Sequence, residues 1–325
     1  MAITFTPLCS ESLGVRSLCV FVETPDTRIL LDAGVSLGQR FGLTPHPREY
    51  EALRDSREKI RRYAEKADTV TISHYHFDHY TATWSNLEAK WSWSSKEEAE
   101  KIYSGKTVYA KDYRSHINSS QRQRGYIFSK IASDFTSTIT YSDSQTYRKG
   151  ETEITFTEPL AHGEEGGQLG FIIGVEITSG DETVAFYPDV QGPVSERSLN
   201  RILAKKPSAL IIGGPPLYLA GWQIDEKTIA QGLEHLRLIA EKIPLTLLDH
   251  HILRNEKGLE ETHRLAEVAK KNDNRLRTFA EYLGVENRLL EAKRRQMFEE
   301  NPPTPEFQKW MKLGRPRQES TPPPL

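Results

Sequence analysis

Short β-branched runs and stretches of helical periodicity take turns along the chain. Ile3–Leu8 and Ser17–Val22 read as strands, and the turn Pro25–Thr27 joins the second to Arg28–Leu31 as a hairpin. Pro45–Arg48 leads into a helical run over Glu49–Lys66, rich in Glu, Arg, Ala and Leu. The strand Thr69–Ile72 follows. Lys96–Tyr103 reads as a helix and Thr107–Ala110 as a strand. The stretch 80–150 is otherwise irregular and leaves the sheet straight after residue 79, so it reads as an insert or cap.

Strand signals resume at Glu153–Thr157, Leu169–Ile177 and Thr183–Tyr187, the last two joined through the turn Ser179–Glu182. A short helix over Ser195–Ala204, with Ser195 as its N-cap, precedes a buried strand at Ala209–Ile212. A helix over Asp225–Lys242 and a last strand at Leu245–Leu248 follow. Leu259–Lys271, Asn274–Tyr282 and Glu286–Glu300 read as helices, the last with a solvated face. Two runs of strands interleaved with helices suit two mixed sheets with helices outside. The expected organisation is one domain over residues 1–300, with C-terminal helices over about 257–300. Residues 301–325 read as a Pro-rich disordered tail with Phe307–Leu313 as a short docking segment.

Composition narrows the picture. The 325 residues can bury a sizeable core, and a formal charge of −2 points to neither nucleic acid nor an anionic membrane. No apolar run approaches the ~20 residues of a membrane span, and the first residues lack a basic leader. The two cysteines, Cys9 and Cys19, fit no zinc spacing and read as buried thiols. A reduced, cytoplasmic setting is the default expectation.

The chemistry concentrates in Thr71–Tyr80, T-I-S-H-Y-H-F-D-H-Y. It packs His74, His76, Asp78 and His79 into six residues directly after a strand. Imidazole and carboxylate are both ligands for zinc-like ions, and a surface loop has no structural use for three clustered histidines. If the strand extends far enough, period-two geometry puts His74 and His76 on one face.

This H-x-H-x-D-H pattern resembles the signature of the metallo-β-lactamase superfamily. Further candidates follow in the expected order: Asp32 in L-L-D-A-G, His162 in P-L-A-H-G, Asp189 in V-A-F-Y-P-D, and His250 and His251 in L-D-H-H. The phrases S-L-G-V-R-S and Y-P-D-V-Q-G-P look like a mainly archaeal branch of metal-dependent hydrolase-like proteins. The resemblance implies an α/β (α+β) fold, a four-layer αββα sandwich, with the cap-like insert and C-terminal helices added. It implies two divalent cations, zinc first and iron or manganese as alternatives. His74, His76 and His162 would hold one; Asp78, His79 and one of His250 and His251 the other; Asp189 would bridge. A hydroxide held between the cations is then the nucleophile, and with a single metal Asp78 is the candidate general base. Iron-binding redox members of the superfamily commonly carry a carboxylate at the position of His76, so the imidazole there favours zinc-type hydrolysis.

Asp32 reads as a residue behind the ligands, and Asp249 as one that orients a histidine of the 250–251 pair. His46 and His235, in or beside helical runs, read as solvated. For substrate, Arg254 and Arg122 are anion contacts, the latter within the polar, basic stretch Arg114–Arg124. Trp84, Trp91 and Trp93 either stack on a base or sugar or pack the cap, packing being favoured. Gly213–Pro216 is a plain loop or shapes the site rim. The leading function is a metal-dependent hydrolase acting on a small ester, thioester, lactone or phosphodiester; nucleic acid is not indicated by charge. The alternatives are an iron-dependent redox or sulfur-transfer enzyme and a non-catalytic metal-binding module.

Overall fold

The computed structural model describes residues 3–84, 92–313, 318 and 321–325. Six strands form the first sheet in chain order: β1 (Thr4–Ser10), β2 (Leu18–Glu23), β3 (Arg28–Leu31), β4 (Thr69–Ile72), β5 (Thr107–Ala110) and β6 (Thr138–Tyr141). The first three are antiparallel, and β3 to β6 run parallel. The connections dictate this change. A tight turn returns the chain from β2 to β3, whereas α1 (Pro47–Ala64), α2 (Lys96–Tyr103) and α3 (Ser119–Ala132) supply the crossovers that parallel pairing needs.

The second sheet begins at one edge with β7 (Thr146–Lys149), β8 (Thr152–Phe156), β11 (Val175–Ser179) and β12 (Glu182–Tyr187), all antiparallel neighbours. It continues parallel through β13 (Ala209–Gly213), β14 (Leu245–Asp249) and β15 (Arg275–Arg277), with α4 (Glu196–Lys205), α5 (Glu226–Lys242) and α6 (Glu256–Lys271) crossing between them. The short strands β9 (Leu160–Ala161) and β10 (Phe171–Ile172) pair apart from both sheets.

Alternation along the strands builds the layers. Val20, Val22, Val184, Phe186, Ala209 and Ile211 share the core between the sheets. Their neighbours Cys19 and Phe21 face α1, α2 and α3 on one outer side. Ala185, Tyr187, Leu210 and Ile212 face α4, α5 and α6 on the other. Both strand faces are therefore apolar, as a sheet covered on each side requires. This is the αββα sandwich. Cys9 and Cys19 are buried and stand opposite each other on β1 and β2.

Several expectations change. Residues 80–150 are not a cap: they contribute α2, α3, two strands of the first sheet and the edge strand of the second. The edge strands β6 and β7 expose part of their polar faces, so they lack the apolar signal of a central strand. Trp84 packs on Phe77 and Tyr80, and Trp93 on Tyr50; Trp91 lies outside the described residues.

At the C-terminal end, the predicted helix 274–282 divides into β15 and a short helix α7 (Phe279–Tyr282). Leu276 of β15 is buried beside β14, and Thr278 starts α7 with a capping box. The predicted helix 286–300 is helical as α8 only over Arg294–Glu300, where Arg295, Gln296, Glu299 and Glu300 form the expected solvated face and Arg294 and Met297 a buried one. Glu291 pairs with Arg16 at 2.6 Å, and Arg294 with Glu49 at 2.7 Å, in buried positions. The expected docking segment in the tail is present as α9 (Pro305–Met311), two residues earlier than read, because Phe307 and Trp310, three apart on one helical face, both bury against Tyr50. No helix among the described residues is long and apolar enough to cross a membrane.

Candidate metal centre

Every candidate ligand comes from a strand end on one side of the sandwich. β4 stops at Ile72, so the 74–79 loop is not extended strand. His74 and His76 meet because the chain turns there, with His79 N–H donating to the His76 carbonyl at 2.9 Å. The turn after β3 lies tightly against this loop: a Cβ on Gly34 would come within 2.1 Å of the Tyr80 backbone nitrogen. β9 leads to His162, β12 to Asp189, and β14 to His250. Gly213 lets the β13 end approach the Pro188 carbonyl, where a Cβ would sit at 1.9 Å, directly behind Asp189.

Asp189 is the hub. It is 1 % exposed, with His162 Nε2 at 2.8 Å, His250 Nε2 at 3.0 Å, His74 Nε2 at 3.2 Å and His79 Nε2 at 3.3 Å. Yet neither of its oxygens, nor His162 Nε2, has a hydrogen bond of good geometry among the described residues. Burial alone would raise its carboxyl, but His79 and His250, then His251 and His162, hold it well below the ordinary carboxylate range.

The outward nitrogens are held by partners. His79 Nδ1 donates to Asp32 at 2.8 Å, and His250 Nδ1 to Glu11 at 2.9 Å. His74 Nδ1 donates to the Ser73 hydroxyl at 3.0 Å, which itself donates to Asp32. These bonds leave the Nε2 atoms of His74, His79 and His250 turned inward as acceptors when the rings are neutral. His250 Nε2 lies 3.2 Å from His79 Nε2, and His74 Nε2 lies 3.0 Å from His76 Nδ1. Lone pairs converging on a buried carboxylate are an arrangement that a cation satisfies.

Among the described residues four overlapping groups lie within reach of a single ion each: His74, His76, His162 and Asp189; His79, Asp189 and His250; Asp78, His250 and His251; and Asp32, His74 and His79. For Asp78, burial is outweighed by His79, His250 and Arg254, so its carboxyl stays well below the usual range. His250 is fully buried and points at Asp189. His251 Nε2 stands farther off, at 3.8 Å, and its ring lines the adjoining cavity. That cavity is about 650 Å³ and is also lined by His76, Asp78, His162 and Arg254.

Asp32 lies behind His79, as expected. Asp249 takes a different part: it accepts from the backbone N–H groups of His250, Ser12 and Phe279, and so holds the chain rather than a ring. The ring is held by Glu11, which sequence reasoning missed; a glutamate after an apolar strand carries no sign of a partner 239 residues away. Arg122 is exposed on α3 and does not line the cavity, whereas Arg124 does, stacked 4.3 Å over Phe77. Arg114 is paired with Asp112. His46 caps α1 and His235 bonds the Pro193 carbonyl at 2.9 Å, so both are buried rather than solvated.

The family described as Beta-lactamase superfamily domain matches residues 27–210. The UPF0282 protein of Pyrobaculum calidifontis is 42 % identical over 296 residues, covering 90 % of this chain and 95 % of the relative. The chain belongs to the UPF0282 family of the β-lactamase superfamily. Other UPF0282 proteins align over similar spans: 39 % identity for Methanopyrus kandleri, covering 90 % and 97 %, and 41 % for Thermococcus kodakarensis, covering 90 % and 94 %. A solved structure, the diiron β-hydroxylase CmlA from Streptomyces venezuelae, shares 13 % identity at a TM-score of 0.49, covering 85 % of this chain and 52 % of that one. The superfamily match contains Asp32, the 74–79 loop, His162 and Asp189. The UPF0282 spans, at about nine-tenths of the chain, reach well beyond it.

Proposed function

We propose that this UPF0282 protein is a metal-dependent hydrolase holding two divalent cations, zinc first. His74, His76 and His162 would hold one, Asp78, His79 and His250 the other, with the Asp189 carboxylate available to both. The observation that carries this reading is Asp189, a buried carboxylate with unsatisfied oxygens among inward-turned imidazoles. In the metal-free protein that charge is offset only by the neighbouring rings, His79 and His250 first, a role that a pair of cations would take over. When bound, the cations supply Lewis acidity and lower the pKa of coordinated water.

The chain's own groups do the rest. Asp32 and Glu11 orient His79 and His250. Arg254 donates to Asp78 at 3.1 Å and reaches the cavity wall. His251, kept neutral by burial and then by Arg254 and His250, presents an imidazole to whatever occupies the cavity. A cavity of about 650 Å³ suits a small ester, thioester, lactone or phosphodiester.

The test is elemental analysis of protein purified without added metal, followed by a panel of those four substrate classes. Two equivalents of zinc with turnover of one class support the reading. Iron with a visible absorption band points to the redox alternative. Two metals without turnover on any class point to a binding module.

A further inference from the structure

Glu11 sits in the turn Glu11–Leu13 that follows β1, outside the span of the superfamily match. Its side chain is buried and divides its two oxygens. Oε2 accepts from His250 Nδ1 at 2.9 Å, and Oε1 accepts from Arg254 Nε at 2.7 Å. Arg254 in turn donates through Nη2 to Asp78 Oδ2 at 3.1 Å. One carboxylate therefore governs two of the groups assigned to the second cation: the ring of His250 directly, and the carboxylate of Asp78 through a guanidinium. No corresponding link runs from Glu11 to His74, His76 or His162 among the described residues.

We infer that Glu11 is the positioning residue of the second metal position: with Arg254 it sets the tautomer of His250 and the orientation of Asp78, and so decides whether one or two cations are held. This rests on the two-metal reading above. The physical reason is the fork. His250 presents a lone pair on Nε2 inward only while its proton sits on Nδ1, and the Glu11 carboxylate is the acceptor that keeps it there. Arg254 Nη2 holds Asp78 Oδ2, the oxygen that also stands 3.8 Å from His250 Nε2, so the guanidinium fixes where this carboxylate sits against His250. The Asp249 carboxylate cannot substitute, since its oxygens are taken by backbone N–H groups.

The test is titration of metal-free wild type, Glu11→Gln and Arg254→Met with Zn2+ alone, by calorimetry and elemental analysis, with thermal unfolding of each metal-free protein as a folding control. Wild type should take two equivalents. In Glu11→Gln one of the two sites should lose about 10- to 100-fold in affinity, the range for loss of a group behind a metal ligand, while the other is unchanged. Arg254→Met should weaken the same site alone. Equal loss at both sites, or two unaltered sites in Glu11→Gln, overturns the inference. Wild type that takes fewer than two equivalents of zinc overturns the two-metal reading instead. If the variants do not fold, imidazole nitrogen NMR of zinc-loaded wild type decides: His250 with its proton on Nδ1 supports the inference, and a proton on Nε2 overturns it.

Discussion

The Nε2 atoms of His79 and His250 face each other across 3.2 Å although the residues are 171 positions apart. Each ring uses its other nitrogen on a buried carboxylate, Asp32 for His79 and Glu11 for His250. With both rings neutral, two lone pairs would oppose each other beside Asp189. Without metal, protons take the place of the cation.

That exchange is measurable. Burial opposes charge on both rings, but for His79 the carboxylates of Asp189, Asp32 and Asp78 prevail and hold its pKa well above the ordinary value. For His250, Glu11 and Asp189 raise it to about 9. Zinc binding at pH 7 should therefore release protons, read by calorimetry in buffers of different ionisation enthalpy. The raised pKa values also stabilise the metal-free protein below about pH 6.5, and that contribution fades as pH rises through about 9. Metal-free protein should lose stability over this window and zinc-loaded protein should not. Zinc uptake without proton release would contradict the arrangement.

The pair at 250 and 251 should separate cleanly. His250→Ala removes an inward, fully buried nitrogen 3.0 Å from Asp189 and should lower metal content. His251→Ala removes a cavity-lining ring and should keep both metals while losing activity. We expect a rate loss of about 10²–10⁴-fold, the range for a side chain serving proton transfer. Elemental analysis beside rate measurement checks both, and loss of metal from His251→Ala alone would reverse the assignment.

Acid should act through Glu291. Burial would raise its carboxyl, yet Arg16 first, then Arg254 and Arg294, hold it at about 2. A depressed carboxylate stabilises above its unfolded value, and the contribution is lost as pH falls from about 4.5 toward 2. Denaturant titrations across this window should show a smaller pH slope for Glu291→Gln than for wild type; equal slopes would mean the pair does not contribute.

Trp310→Ala should cost about 3–5 kcal/mol, the range for emptying a buried aromatic site. Its ring packs edge-on to Tyr50 at 5.4 Å, and its indole N–H donates to the Thr321 carbonyl at 2.7 Å. Thermal unfolding checks this; an unchanged midpoint would return the segment to the status of a loose tail.

The sites of success and failure in reading the chain share a cause. The strands and helices of the sandwich were legible because apolar residues run unbroken through strands such as Thr183–Tyr187 and recur at helical spacing in runs such as Glu49–Lys66. The ligand loop was legible because four metal-binding side chains stand within six residues. Edge strands β6 and β7 were not, since a strand half open to water need not be apolar. The docking segment around Phe307 and Trp310 was legible from its aromatics, whereas the prolines around it read as disorder although one of them, Pro305, opens the docked helix.

Glu11 marks the limit most clearly. Local pattern determines which residues are capable of holding a metal and which strands carry them to one edge, because periodicity and ligand chemistry act over a few residues. It does not determine which nitrogen of each histidine turns inward, which of His250 and His251 reaches Asp189, or which carboxylate stands behind them. Those choices depend on groups brought together from positions hundreds of residues apart, and only the packing of β1, β4, β12 and β14 at one end of the sandwich decides them.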